Sequence, residues 1–286
     1  MSPPKRKKKK QALKYIQVIA DYGAVGDLAF AEVRNRLRAE LQKAGVERFD
    51  LDTVSVPAFD TYATGFQLAQ LAINSPLGKD HIFYVNTAPR RDKRSARINN
   101  EGEGLVYAKL HNGVQIVAVN SGYSLTLIKP FTKAILALNV SNAGSQFRSR
   151  DIFPQVISAL LTGDTSILGK DVSATVPDAF PKDRVVYTDG YGNLKCSVDP
   201  KDIVSYKGKR VHLRIEGSDQ IPVLVGAGIF DVVDGDFCFA KGSSGWTLPN
   251  GLRMEFAEVI KRSDSAAKAF NYPKGGHKLV WRPTPK

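Results

Sequence analysis

The stretch YIQVIADYGAVGDLAFAEVRNRLRAEL, Tyr15 to Leu41, changes its hydrophobic period halfway along, and that change sets the fold class. Tyr15 to Ala20 is a short apolar run that predicts a buried strand. Gly26-Asp27 then introduces Phe30, Val33, Leu37 and Leu41, whose three- and four-residue spacing predicts a helix with one apolar face. The order of strand then helix continues downstream. Phe49 to Val56 alternates as a strand does, Asp60 to Asn74 carries Phe66, Ala69 and Ile73 at helical spacing, and HIFYVN, His81 to Asn86, predicts another short strand. Asn112-Gly113 between LVYAKLH and VQIVAV is a two-residue hairpin signal. A predicted strand at Ile135 to Val140 and a helix after Ser149, apolar at positions 152, 153, 156, 157, 160 and 161, complete an α/β layer domain with a largely parallel sheet.

The character changes across Gly169 to Asp183, which is polar, contains two prolines and shows no period. Beyond it VVYT, LKCSV, KRVHLRI, PVLVGA, FCFA and RMEFAEVI are short apolar segments parted by Gly, Asn, Asp and Pro, as in a small antiparallel barrel or sandwich. A short helix at Asp264 to Phe270 precedes a last strand, HKLVWR. The expected organisation is therefore a basic tail over residues 1–12, a mostly parallel α/β domain over 13–168, a linker over 169–183, and a smaller all-β barrel domain over 184–286.

The 286 residues are 43% apolar and 24% charged, enough to bury a sizeable core. No apolar run reaches the roughly 18 to 20 residues of a membrane helix, so a cytoplasmic protein without membrane contact is expected. Cys196 and Cys238 make no disulfide framework and no zinc motif, and His81, His111, His212 and His277 are scattered, so no metal site is expected. Phosphate-loop, dinucleotide-binding and serine-hydrolase signatures are missing. The formal charge is +13, of which Met1 to Lys10 supplies six cations and no acid, leaving a body at +7. Six adjacent cations repel one another, so this tail should be disordered; it is either plain solvated chain or a contact for polyanions.

In an open α/β sheet ligands gather at the carboxyl ends of the strands. Asp21, Asn86 and Asn120 each end a predicted strand, and Asp60 follows the extended VSVPAF. Each is equally a helix cap or turn residue. At these positions the chain resembles the S-adenosylmethionine hydroxide adenosyltransferase family, relatives of the fluorinases and chlorinases. ADYG (Ala20 to Gly23) is similar to the family's TDFG, PAFD (Pro57 to Asp60) to PPFD or PWD, and VNTAPRRDKRS (Val85 to Ser95) stands where VDPGVG belongs. AVNSG (Ala118 to Gly122) lies at the place of GPDNG or APNNG. QFRSRDIF (Gln146 to Phe153) resembles TFHGRDIF and the halogenase TFYSRE. YTDGYGNL (Tyr187 to Leu194) resembles IDRFGNL, and GSSG (Gly242 to Gly245) and SDSAAKAF (Ser263 to Phe270) resemble NSxG and xGNAA. Each fragment is short, but all follow the family's order.

The resemblance implies a homotrimer that binds S-adenosylmethionine, a nucleoside substrate rather than a cofactor, between neighbouring subunits. Asp21 would hold the ribose hydroxyls, Phe59 would wall the sulfonium methyl, and Asn120 would lie in the substrate pocket. Asp189, Tyr191 and Asn193 would serve the methionine and adenine ends, with Ser243 nearby. Asn86, Arg94, Arg148 and Ser149 would surround the nucleophile. The sequence departs from the family here: Asn86 replaces an Asp, and Arg148 replaces a His, so neither can act as a base. The run Arg90, Arg91, Lys93, Arg94 and Arg97 replaces a glycine-rich turn and reads as a solvated, phosphate-recognising or intersubunit loop. Ser149 is either a helix N-cap or part of a small anion site. Three functions follow: cleavage of S-adenosylmethionine by water or hydroxide to adenosine and methionine, a catalytically inactive homologue that binds a nucleotide or anion, or a halide-using enzyme.

Overall fold

The computed structural model describes residues 11–89, 95–96, 98–141 and 143–283. The basic residues 1–10 and the cations Arg90, Arg91, Lys93, Arg94 and Arg97 lie outside this description. The chain runs β1 (Lys14–Ala20), α1 (Leu28–Lys43), β2 (Phe49–Ser55), α2 (Thr61–Ile73), β3 (His81–Asn86), β4 (Leu105–Leu110), β5 (Gln115–Val119), β6 (Thr132–Leu138), α3 (Arg148–Asp151), α4 (Pro154–Leu161) and β7 (Leu168–Asp171). These strands form one sheet in the order β2-β1-β3-β5-β4-β6-β7.

Alternation along β1 explains the layers. Ile16, Val18 and Ala20 join the cluster that takes Phe30, Val33, Leu37 and Leu41 from α1 and Val156, Ile157 and Leu160 from α4. Ile19 points the other way, into the cluster with Phe66, Ala69 and Ala72 of α2. All six residues of β3 are buried, as befits a central strand covered on both faces. The pairings β1–β2, β1–β3 and β3–β5 are parallel, whereas β4–β5, β4–β6 and β6–β7 are antiparallel. The sheet is thus parallel in one half only, because the Asn112-Gly113 hairpin reverses the chain and β4 inserts between β5 and β6. The polar stretch read as a linker begins inside β7, which extends this sheet through Leu168 and Asp171.

The second sheet contains β8 (Val185–Thr188), β9 (Leu194–Cys196), β10 (Arg210–Ile215), β11 (Gln220–Val225), β12 (Phe237–Thr247), β13 (Arg253–Lys261) and β14 (Leu279–Pro283), with one-turn helices α5 (Pro200–Ile203) and α6 (Ala266–Ala269) beside it. Its order is β14-β10-β11-β12-β13-β9-β8, antiparallel except for β11–β12. The two ends of that order meet. Arg184 and Lys278 form a bridge, Val185 donates its N–H to His277 O at 3.0 Å, and Gly276 donates to Val185 O at 2.8 Å. The sheet therefore curls into a partial barrel around Leu213, Val223, Phe239 and Val259. Cys196 and Cys238 are free and buried.

Helix α2 lies between the two sheets, with nine of its thirteen residues buried. Phe66 stacks on Tyr187 at 5.7 Å and meets the Phe256 ring edge-on at 5.0 Å, so one core holds residues of both sheets. Gly65 allows the close approach: a Cβ there would stand 2.5 Å from the Tyr123 carbonyl oxygen. Asp60 caps the helix by accepting the N–H groups of Tyr62 and Ala63, and its other oxygen accepts that of Gly275 at 2.8 Å, just before β14. Burial raises the Asp60 carboxyl above its ordinary range despite these bonds. Truncating Phe66→Ala removes a ring shared by both sheets and should cost about 3 to 4 kcal/mol in urea unfolding. An unchanged midpoint would show that the sheets do not share a core.

Candidate functional site

A cleft of about 810 Å³ opens at the carboxyl ends of the first sheet, where ligands of open α/β sheets bind. Its walls include Phe59 and Tyr62 at the head of α2, and Asn120, Ser121 and Tyr123 after β5. Tyr62, Tyr123 and Phe180 pack ring against ring at 4.7 to 5.8 Å along one side. Asn120 donates to the Thr175 hydroxyl at 2.7 Å, which fixes its carboxamide on the rim. Below it Thr64 and Thr87 hydroxyls meet at 2.8 Å.

Asp21 stands where β1 ends, half-buried, at the same end of the sheet. Its Oδ2 accepts the N–H of Phe59 at 2.9 Å, across 38 residues of chain. Phe59 sits in the left-handed region at φ 64° with its side chain 54% exposed. A bulky non-glycine residue holds that conformation only when neighbours impose it. The carboxylate of Asp21 thus sets the backbone that turns an aromatic side chain outward beside the cleft.

Behind Asp21 lies a buried polar knot. Asn86 Nδ2 donates to the Tyr22 hydroxyl at 2.6 Å, and Tyr84 donates its hydroxyl to Ser149 O at 2.9 Å. The rings of Phe30 and Phe147 enclose Tyr22 at 5.0 and 5.8 Å. Burial pushes the Tyr22 phenol up to about 12, outweighing the hydrogen bonds from Ser149, Asn86 and Tyr84, and raises Tyr84 as well. All members of this knot are uncharged at neutral pH, so it holds geometry and supplies no base.

Ser149 is not the helix cap or open anion site that its position suggested. It falls inside the single turn α3, whose N-cap position is Phe147, and it is 5% exposed. No side chain caps this turn; just before it Ser145 accepts the Phe147 N–H at 2.9 Å and donates to Asp151 at 2.6 Å. Arg148 lies over the Phe153 ring and donates to Glu103 O at 3.2 Å. Gly102 makes room for it, since a Cβ there would overlap the guanidinium. The position of Arg94 lies outside the described residues.

The remaining expected site residues stand on the second sheet. Asp189 Oδ1 accepts the N–H groups of Tyr191 and Asn193 at 2.9 and 3.0 Å, and its Oδ2 accepts Asn193 Nδ2 at 3.0 Å, so the hairpin is tied by one carboxylate. Lys195 supports that carboxylate at 3.5 Å and pairs with buried Glu258 at 2.6 Å. Tyr191 is 85% exposed at the tip, and Ser243 is exposed where β12 shifts register. The structure therefore gathers Asp21, Phe59, Asn86 and Ser149 at one sheet, with Arg148 on the same one-turn helix as Ser149 and Asn120 on the neighbouring cleft. Asp189, Tyr191, Asn193 and Ser243 belong to the other sheet.

Tyr22 and Tyr84 were not anticipated. Tyr22 could have been noticed, because it puts a hydroxyl where the resembling motif TDFG has Phe; Tyr84 inside HIFYVN reads only as core. Among the described residues, no three His, Cys, Asp or Glu side chains gather as a metal site. No helix among them is long and apolar enough to cross a membrane.

The raised Tyr22 phenol gives a stability signature. The unfolded chain releases this proton near its ordinary value of 10.0 while the fold retains it to about 12. Its stabilisation is therefore whole below pH 10 and disappears as pH rises towards 12. Relative to Tyr22→Phe, the wild type should lose about 2 to 3 kcal/mol over that window in urea unfolding. Parallel profiles for the two proteins would place the hydroxyl in water.

No family model matches the chain, and no curated protein matches it. Among solved structures, an uncharacterized conserved protein from Thermotoga maritima is similar at a TM-score of 0.65 and 17% identity, over 93% of this chain and 99% of that one. A conserved hypothetical protein from Thermus thermophilus is similar at 0.62 and 18%, over 94% and 100%. At such identities the likeness is one of fold, and it spans nearly the whole of each chain.

Proposed function

We propose that the chain is a divergent S-adenosylmethionine-cleaving enzyme that forms adenosine and methionine. The observation that carries this is the hydrogen bond from Phe59 N–H to Asp21 Oδ2. It joins a carboxylate suited to a vicinal diol with an exposed aromatic face suited to a sulfonium methyl, and the aromatic lines a cleft at the carboxyl end of the sheet. The ordered fragments of sequence around these residues support the same ligand. The finer architecture belongs to this proposal too: an α/β domain and a barrel domain, with the Asp189 hairpin and Ser243 of one copy facing Asp21 of a neighbour in a homotrimer.

In this proposal a lone pair of hydroxide, or of water that then loses a proton to solvent, forms the bond to ribose C5'. The C5'–S bond breaks and its electrons neutralise the sulfonium, so the leaving thioether needs no acid. The protein's part is alignment and exclusion of bulk water. Asn86 cannot accept the proton and Tyr22 keeps its own, so neither of them serves as the base. With hydroxide as the nucleophile the turnover rate should rise about tenfold per pH unit above neutrality, as hydroxide concentration does. A plateau there would exclude hydroxide from solvent as the nucleophile.

The same uncharged knot favours a second reading, a protein that binds the nucleoside without turning it over. Liquid chromatography of a reaction with S-adenosylmethionine separates the two. Adenosine and methionine from the wild type support cleavage; products appearing only in the Asn86→Asp, Arg148→His double variant support the inactive binder. In either case Asp21→Ala should weaken calorimetric binding of S-adenosylmethionine by about tenfold to a hundredfold, the worth of a hydrogen bond to a charged group. Undiminished binding removes the ribose assignment.

A further inference from the structure

The outer face of the partial barrel carries a second feature, unrelated to the cleft. Two shallow cavities of about 400 and 290 Å³ lie side by side along β10 and β14, sharing Arg214 and Val280 in their walls. Arg184, Arg214 and Lys278 line the first, and His212, Arg214 and Arg282 line the second. Glu216 is the one carboxylate among these lining residues, and its Oε2 is engaged by the Lys278 N–H at 3.1 Å. None of Arg184, Arg214, Lys278 and Arg282 forms an ion pair with a described residue. Arg184 Nε is buried and has no hydrogen-bond partner among them. By contrast the neighbouring Arg210 is paired with Asp236, so the lack of counter-charge is local to this face.

Register makes the cations an array. His212 faces Arg282 and Arg214 faces Val280 across the β10–β14 ladder. Side chains on one face of a strand repeat about every 7 Å, so His212 with Arg214, and Lys278 with Arg282 either side of Val280, run in two adjacent rows. Leu213 turns inward to the barrel core, and Trp281 packs there against Tyr206 and Phe239. Apart from the His212 imidazole no aromatic ring lines the two cavities, so the face offers mainly charge and little platform for stacking bases.

We infer that this face binds the phosphodiester backbone of single-stranded nucleic acid, without reading its sequence. The charge complementarity is direct: four permanent cations without paired acids, three of them in rows an extended strand can follow phosphate by phosphate, on a chain of net charge +13. The inference stands apart from the proposed enzymatic function and uses none of its residues.

Fluorescence anisotropy of a labelled single-stranded oligodeoxynucleotide of about 20 nucleotides, titrated with the full chain between about 50 and 200 mM salt, tests it. The triple variant Arg214→Gln, Lys278→Gln, Arg282→Gln should bind about tenfold more weakly, with a salt slope lower by about 0.7 for each cation removed. The charge-keeping pair Arg214→Lys, Arg282→Lys should retain the slope. A control triple of exposed cations on the first sheet and its helix, Arg38→Gln, Lys43→Gln, Lys170→Gln, should also retain it. All variants keep the basic N-terminal residues, so the difference belongs to the face. Equal losses in both Gln triples, or none in the first, overturn the inference. Binding of tripolyphosphate with no binding of the oligonucleotide overturns it too, by placing a small phosphorylated ligand there.

Discussion

Helix α2 is the constraint on which the architecture rests. It buries nearly its whole circumference, with one side against the first sheet and the other against β8, β12 and β13. Its first turn is largely buried, and Asp60 supplies acceptors there while also holding Gly275. The same carboxylate therefore fixes the helix and the approach to β14. At the other end Asn74 donates to Gly245 O and Gln70 accepts the Gly245 N–H at 2.9 Å, so β12 is tied at Gly245 to the last turn of the helix. The cleft follows from this: its mouth is framed by the residues that start α2 and by the loop after β5 that Gly65 lets approach.

The chemistry around Asp21 divides into a charged front and a neutral rear. In front stand the carboxylate and the outward, exposed Phe59, joined by one hydrogen bond. Behind, Tyr22, Tyr84, Asn86 and Ser149 satisfy one another without a titrating group in the physiological range. The Phe-to-Tyr and Asp-to-Asn differences from the resembling motifs are in contact, since the new hydroxyl receives the new carboxamide's hydrogen. Together these two side chains keep the buried region hydrogen-bonded without a charge.

Much of the fold was legible because period and burial coincide. Phe30, Val33, Leu37 and Leu41 are all buried on α1, HIFYVN is β3 residue for residue, and Asn112-Gly113 turns β4 into β5. The order of strands was not legible, because pairing is decided by contacts far apart in sequence: nothing local places β4 between β5 and β6, or marks LGKD as β7. In the site, strand-end positions found Asp21, Asn86 and Asn120, since the layer architecture puts such residues at one edge. The bond from Phe59 to Asp21 was invisible, as it depends on a left-handed backbone at a residue that rarely adopts one. Ser149 misled because a Ser before an apolar period resembles a cap, while the chain starts its one-turn helix one residue earlier, at Arg148, with no side-chain cap.

The junction of Arg184 with Lys278 bears on how the chain behaves at high concentration. By joining the first and last strands of its sheet there, the partial barrel hides backbone donors and acceptors that would otherwise template a foreign strand. The first sheet lacks that closure, and its outermost β2 instead carries exposed Asp50 and Asp52, whose repulsion discourages stacking against a copy of itself. One half of the molecule guards against fibrous association by geometry and the other by charge.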